Sequence, residues 1–279
     1  MAADPAAPSA PASPVDVSLV VPAFNSAAYL DRNIGLALAF LADHGLAGEI
    51  VVADDGSTDG TADSVRPAPN VVVLRLPHRG KGAALRAGML AARGDIRAFT
   101  DADLPYGLDA LPLAISYIRE RRFHAVVGDR TLPGSSYENP GPLRRVLSEL
   151  ASFAFRTFVT GGIYDTQCGF KVFRGDVAAE LFRLARIDGF AIDVELIYLV
   201  LKNRLDLKRI PVQLERNAPS SVRVLRDSAR AVGDIASIRL NLARGRYRSP
   251  YLARLLEDEL RGDVAKAGAA AGTALKPTR

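Results

Sequence analysis

The 279-residue sequence is 48% hydrophobic with a formal net charge of +5, enough apolar material for one large α/β domain, alone or with an appendage. A single cysteine, Cys168, excludes an internal disulfide, and the widely separated His44, His78 and His124 have no zinc-ligand spacing. No apolar run reaches the roughly 18 residues of a membrane-spanning helix.

Charge is uneven along the chain. Residues 202–248 hold 12 Lys and Arg against 4 Asp and Glu. That stretch is either a solvated face or a surface for anionic lipid or a phosphate-bearing substrate. It is too poor in aromatic side chains to read as a nucleic-acid surface.

Residues 1–14, rich in Ala, Pro and Ser, read as a disordered tail and not a signal peptide. A β-rich run at 17–21 ends in Pro22-Ala23-Phe24-Asn25-Ser26, and 27–42 places Leu30, Ile34, Leu38 and Leu41 at helical spacing. A second strand at 49–53 leads into Asp54-Asp55-Gly56-Ser57-Thr58-Asp59-Gly60-Thr61, a loop dense in turn formers. A strand at 71–76, a helix at 82–92 and a strand at 95–100 follow, the last closing on Asp101-Ala102-Asp103. A helix at 108–121 and a strand at 124–128 lead to Asp129-Arg130, and residues 131–142 form a Gly/Pro/Ser-rich loop long enough for a lid. Residues 144–159 predict a helix, 165–171 a compact polar loop, 205–214 a last strand, and 227–243 a helix with Val232, Ile235, Ile238 and Leu242 on one stripe. Such a basic helix with an apolar stripe suits an anionic bilayer. From about residue 261 the chain, rich in Ala, Gly and Lys, again reads as a disordered tail.

Alternating strands and helices predict a single, mostly parallel, doubly wound sheet, whose ligands bind beyond the carboxyl ends of the strands. Pro22, Asp54 and Asp101 all sit at such ends and should converge. Along an extended chain Asp101 and Asp103 point to the same side, a pair able to hold a divalent cation and, through it, a diphosphate. Gly80-Lys81-Gly82 is neither a P-loop nor a dinucleotide fingerprint. Opening a helix, it still offers free backbone N–H groups and one ammonium to an anion.

The Asp-Ala-Asp pair at a strand end, nearly fifty residues after Asp54-Asp55-Gly56-Ser57, closely resembles the family 2 inverting glycosyltransferases of GT-A fold. Within that family, four segments resemble the dolichyl- or polyprenyl-phosphate sugar synthases, above all the dolichyl-phosphate β-glucosyltransferase branch. They are Arg79-Gly80-Lys81-Gly82-Ala83, Asp165-Thr166-Gln167-Cys168-Gly169-Phe170-Lys171, Asp193-Val194-Glu195-Leu196 and the Ser221-Val222 to Tyr247 ending. The resemblance covers about residues 17–247.

It implies a GT-A nucleotide-diphospho-sugar transferase fold at 15–215, followed by a basic amphipathic helical segment at 216–260. It also implies site roles. Pro22, Phe24 and Val52 would line a base pocket, with Asp54 bonded to the base. Asp101, with Ala102, would lie at the ribose and diphosphate, Lys81 would serve the nucleotide, and Asp103 would ligate Mg²⁺ or Mn²⁺ together with Asp101. Arg130 would contact the diphosphate or an acceptor phosphate, and Arg144 and Arg145 would grip a lipid phosphate. Two departures from the family pattern stand out: Pro105 replaces a polar residue that assists the metal in the mannosyl branch, and Asp129 stands where Ser is usual.

The expectation is therefore a metal-dependent hexosyltransferase, taking glucose in first place from UDP-glucose (or mannose from GDP-mannose) to a polyprenyl phosphate. It would act as a peripheral protein on the cytoplasmic membrane face. A phosphate acceptor, largely dianionic at pH 7 because its second pKa is about 6, needs no general base. A soluble or polysaccharide hydroxyl acceptor would need one, and Asp193 or Glu195 is the candidate, although either could equally be a helix-surface acid or half of a buried ion pair. A non-catalytic nucleotide-sugar or membrane-binding module is the remaining alternative.

Overall fold

The computed structural model describes residues 15–135, 165–214 and 224–274. Within them the chain runs β1 (Val17–Ala23), α1 (Leu30–Asp43), β2 (Gly48–Asp54), α2 (Thr61–Ser64), β3 (Val71–Arg75), α3 (Lys81–Ala91), β4 (Ile96–Phe99), α4 (Ala110–Arg119) and β5 (Ala125–Asp129). It continues with β6 (Lys171–Arg174), α5 (Gly175–Leu184), α6 (Ile192–Lys202), β7 (Leu207–Pro211), α7 (Val224–Ala243) and α8 (Pro250–Ala274). The expected lid at 131–142 is described only to residue 135, and the expected helix at 144–159, with Arg144 and Arg145, lies outside the described residues.

The strands form one seven-stranded sheet in the order β3-β2-β1-β4-β6-β5-β7. All pairings are parallel except those of β6, which runs antiparallel between β4 and β5. β1, β2 and β5 are buried on both faces, and their near-continuous Val, Ile, Leu and Ala suit a sheet covered on both sides. On one face α1 and α4 pack over Leu19, Val21, Ile50 and Val52. On the other, α3, α5 and α6 pack over Val20, Val51, Phe99 and Phe173, joined by Ile238 of α7 and Leu252 of α8.

Two expectations about the C-terminal part change. Ile238 is fully buried and Leu242 packs against the same cluster, so this part of the α7 stripe faces the body of the protein, not a bilayer. Residues 261–274 are helical, not a structureless tail. Alanine is the strongest helix former, so the composition that suggested disorder also favours extending a helix already anchored at its start. The anchors are polar and specific. His124 Nδ1 accepts the Asp206 N–H at 2.9 Å, which leaves Nε2 as the donor to Glu259, also at 2.9 Å; Arg174 reaches the other Glu259 oxygen, and Arg122 pairs with Asp263.

Register explains why the site assembles. β1 meets β2 with Ala23 opposite Asp54, β4 meets β6 with Phe99 opposite Lys171, and β5 meets β7 with Asp129 opposite Pro211. The carboxyl ends of β1, β2, β4 and β5 and the amino end of β6 therefore share one edge of the sheet.

Candidate active site

β4 stops at Phe99, and the two acids lie in a turn beyond it, not on an extended strand as alternation suggested. The Leu104 N–H donates to the Asp101 carbonyl at 3.0 Å, which closes the turn. Leu104 takes φ +47°, a left-handed conformation that costs a branched residue about 1–2 kcal/mol and that its burial in the core helps to offset. Beside this turn the Lys81 ammonium sits 2.7 Å from Asp101 Oδ1 and 3.3 Å from Asp193 Oδ2. The other Asp193 oxygen meets Lys171 at 2.5 Å, and Lys171 also donates to the Cys168 carbonyl at 2.7 Å. Asp193 and Lys171 are both buried. Burial works against the charged form of Lys81, yet Asp101 and Asp193 outweigh it and push the ammonium's pKa up. Asp193 is held low by the reverse balance, its burial being overcome by Lys171 and Lys81.

Gly169 passes directly over this centre. A Cβ there would lie 2.0 Å from Asp101 Oδ2, so the Cys168-Gly169-Phe170 stretch demands a glycine to lie against the acid. Cys168 itself is buried, and burial pushes its thiol up to about 12, so it carries no nucleophile.

Of the N–H groups expected to be free in Gly80-Lys81-Gly82, those of both glycines are already taken. Gly80 N–H donates to Asp55 at 2.9 Å, and Gly82 and Ala83 N–H donate to the Asp188 carbonyl at 2.7 and 3.2 Å. The segment presents the Lys81 side chain at the acidic turn. Asp55 also takes the Arg79 N–H at 2.9 Å and meets His78 Nδ1 at 2.9 Å. His78 in turn stacks on Phe24, centroids 4.3 Å apart and planes 18° from parallel, with Phe24 45% exposed. That aromatic surface lies beside Asp54, which accepts the Ser57 N–H at 3.3 Å and the Ser57 hydroxyl. Of the remaining expected base-pocket residues, Pro22 is half-buried and Val52 is fully enclosed in the core, so Val52 supports the sheet and does not line a pocket. Ala102 is buried, and its carbonyl accepts from Asn33 Nδ2 at 2.9 Å.

Arg130, at the end of β5, makes a fork with Asp165: Nε to Oδ2 at 2.7 Å and Nη2 to Oδ1 at 2.8 Å, with Nη1 3.4 Å from the Tyr106 hydroxyl. This pair clips the start of the 165–171 motif to β5. The unexpected Asp129 is fully buried: it accepts from the Thr131 N–H and hydroxyl and pairs with Arg209 at 2.9 Å. Glu195 is also fully buried. It accepts the Arg186 and Ile187 N–H groups, each at 2.9 Å, and the Tyr247 hydroxyl at 2.5 Å, while burial raises its pKa.

Asp101, Asp103, Lys81, Asp193 and Lys171 thus gather at one edge, with Asp54 and Phe24 at the neighbouring strand ends. The sequence reading missed Asp55, His78, Gly169 and Lys171 as contributors. Lys171 was signalled only by closing the Asp165–Lys171 motif, and His78 by no motif at all.

Among the described residues no group of three or more His, Cys, Asp or Glu gathers around one point. The donor set at the turn is two hard carboxylates, and a cationic ammonium already rests on one of them. This fits Mg²⁺ or Mn²⁺, which bind through one or two carboxylates and take their other ligands from water and substrate phosphates.

A helix-flanked, mostly parallel sheet with this acidic turn at its ligand-binding edge defines an α/β protein of GT-A type. The glycosyl transferase family 2 profile matches residues 18–182, and the chain belongs to that family. The dolichyl-phosphate β-glucosyltransferase of Drosophila melanogaster is 33% identical over 219 residues, 71% of this chain and 67% of that protein. That of Dictyostelium discoideum is 30% identical over 261 residues, 84% of this chain and 77% of the relative. The fold is similar to that of glucosyl-3-phosphoglycerate synthase from Mycobacterium tuberculosis, solved with Mn²⁺, UDP-glucose and phosphoglyceric acid. The TM-score is 0.59 at 21% identity, over 84% of this chain and 80% of that one. No helix among the described residues is long and apolar enough to cross a membrane.

Proposed function

We propose that this glycosyltransferase is metal-dependent and moves glucose from UDP-glucose, with inversion, to a polyprenyl phosphate at a membrane surface. The glucose C1–O bond to the donor diphosphate breaks, and UDP leaves with the electron pair. A new C1–O bond forms to an oxygen of the acceptor phosphate.

Phe24, Pro22 and Asp54 are assigned to the base, Asp101 to the ribose and diphosphate, and Asp103 and Asp101 to the metal. When bound, Mg²⁺ or Mn²⁺ supplies charge neutralisation on the departing diphosphate. Lys81 adds a second positive charge on the same side. Arg130, held by Asp165, is assigned to a phosphate group, a task suited to a planar guanidinium. Arg144 and Arg145 remain assigned to the acceptor phosphate from the sequence alone.

The observation that carries a phosphate acceptor concerns the two candidate bases. Asp193 is buried between Lys81 and Lys171, and Glu195 is enclosed by two backbone N–H groups and Tyr247. Both are positioning residues in this proposal, so the nucleophile must arrive already ionised, as a phosphate does. The close relatives named for transfer to dolichyl phosphate support the same acceptor class. The basic stretch at 202–248 supports a peripheral site of action on an anionic, cytoplasmic leaflet.

The test is incubation with UDP-glucose, polyprenyl phosphate and Mn²⁺, followed by extraction of the lipid. A glucosylated lipid phosphate is expected. Absence of a lipid-linked product with this and every other common nucleotide sugar overturns the acceptor assignment, and full activity in Asp103→Ala overturns the metal assignment.

A further inference from the structure

Four of the charges at the acidic turn form one chain of ion pairs, Asp101–Lys81–Asp193–Lys171, and the carboxylate of Asp103 adds a further negative charge to the same turn. They are not equivalent. Lys171 is buried, opposite Phe99 in the sheet register, and tied to the Cys168 carbonyl as well as to Asp193, so it is fixed. Lys81 is different. It stands at the first position of α3 on a long unbranched side chain and bridges a buried acid and a partly exposed one, Asp101, whose side chain is 34% exposed. Its shorter contact, 2.7 Å, is to Asp101, the acid that also serves the cation.

We propose that Lys81 is the resident counter-ion of Asp101 and competes with the divalent cation for it. A cation arriving alone at Asp101 and Asp103 meets an ammonium already bound to one of them, and like charges at such range repel strongly. A cation arriving with a nucleotide diphosphate brings phosphate oxygens to which Lys81 can transfer without leaving Asp193. Asp193, kept charged by Lys171, is the fixed post around which that transfer turns. The other Asp101 oxygen lies against Gly169, in space that a Cβ at that residue would fill. The device couples two ligands: the metal binds weakly by itself and tightly with the diphosphate, and by linkage the diphosphate gains the same factor from the metal. It protects the turn from idle metal loading and delays assembly of the catalytic centre until the donor is present.

This rests on the metal assignment made above, and one experiment separates the two. Mn²⁺ binding is followed by the electron paramagnetic resonance signal of the free ion, with and without UDP, in the wild type, Lys81→Met and Lys81→Arg. Met keeps the length and apolar stem of the side chain and removes its charge; Arg retains the charge. In the wild type, UDP is expected to tighten Mn²⁺ binding at least thirtyfold. In Lys81→Met, Mn²⁺ alone is expected to bind at least tenfold more tightly than to the wild type, while the gain from UDP shrinks below tenfold. Lys81→Arg is expected to keep the weak binding of Mn²⁺ alone.

If Lys81→Met binds Mn²⁺ alone no more tightly than the wild type while folding normally by circular dichroism, the competition is overturned and the metal assignment stands. If the wild type takes up no Mn²⁺ even with UDP, the metal assignment and the competition fall together.

Discussion

At the scale of single residues, two glycines make contrasting demands. At Gly169 a Cβ would meet the end of the Asp101 side chain, while at Gly82 it would lie 2.4 Å from the Ile187 backbone carbonyl. A side-chain carboxylate can rotate away; a carbonyl fixed in a loop cannot. Gly169→Ala is therefore expected to leave thermal stability almost unchanged and lower transferase activity at least tenfold, because Asp101 moves. Gly82→Ala is expected to cost about 2 kcal/mol through overpacking, a fall in Tm of about 6 °C for a chain of this size, measured by thermal denaturation. Asp193→Ala removes the shared partner of two lysines and leaves Lys171 buried without its carboxylate. Loss of about 3 kcal/mol is expected from that uncompensated charge. A base catalyst would instead show a large activity loss at unchanged Tm, so the two measurements together distinguish the roles.

At the scale of elements, β1, β2, β3 and β5 were legible because each is largely a run of β-branched and apolar residues bounded by turn formers. β6 was not. Lys171-Val172-Phe173-Arg174 is only four residues long and follows directly from a polar motif, so nothing in its own pattern announces a central antiparallel strand. The motif was recognisable as a unit, but its place was not, since Lys171 finds Asp193 22 positions away and Lys81 finds it 112 positions away. Ion pairs of that separation follow from sheet order, which no local spacing encodes. α8 shows the reverse error, where an Ala-rich composition concealed a helix. Glu259 ties that helix to His124 and Arg174 at once. Glu259→Ala is expected to lower Tm and to make α8 the first site of limited proteolysis. If the digestion pattern is unchanged, the apolar contacts of Leu252, Leu255 and Leu256 and the Arg122–Asp263 pair hold the helix without Glu259.

At the scale of the whole molecule, stability should depend on pH through its buried acids. Arg130 and Lys171 help hold Asp165 below its ordinary value of 3.8 against its burial, and Lys171 and Lys81 do the same for Asp193. An acid depressed in the folded state stabilises at pH above its unfolded value, and that contribution is lost as pH falls through the lowered one. Glu195 works in the opposite sense. Its raised value favours the fold below 4.5, and the benefit fades as pH rises through it. Thermal melts of wild type and Asp165→Asn from pH 3 to 8 should therefore differ most above about pH 5 and converge towards pH 3. A constant difference would show that the Arg130 fork contributes geometry and no linked proton.

The antiparallel strand β6 has one more consequence, in the order of folding. The sheet half β3-β2-β1-β4 is encoded before residue 100 and is built from near neighbours in the chain. β6 arrives some seventy positions after β4 yet must insert between it and β5, so its loop-closure entropy is spent late. The nucleotide half of the centre can form while the polypeptide is still emerging, but Lys171, Gly169 and Asp193 join it only afterwards. Pulse-labelled hydrogen exchange during refolding should protect β1, β2 and β4 before β6. The protein would thus acquire its donor platform first and its competence to transfer last.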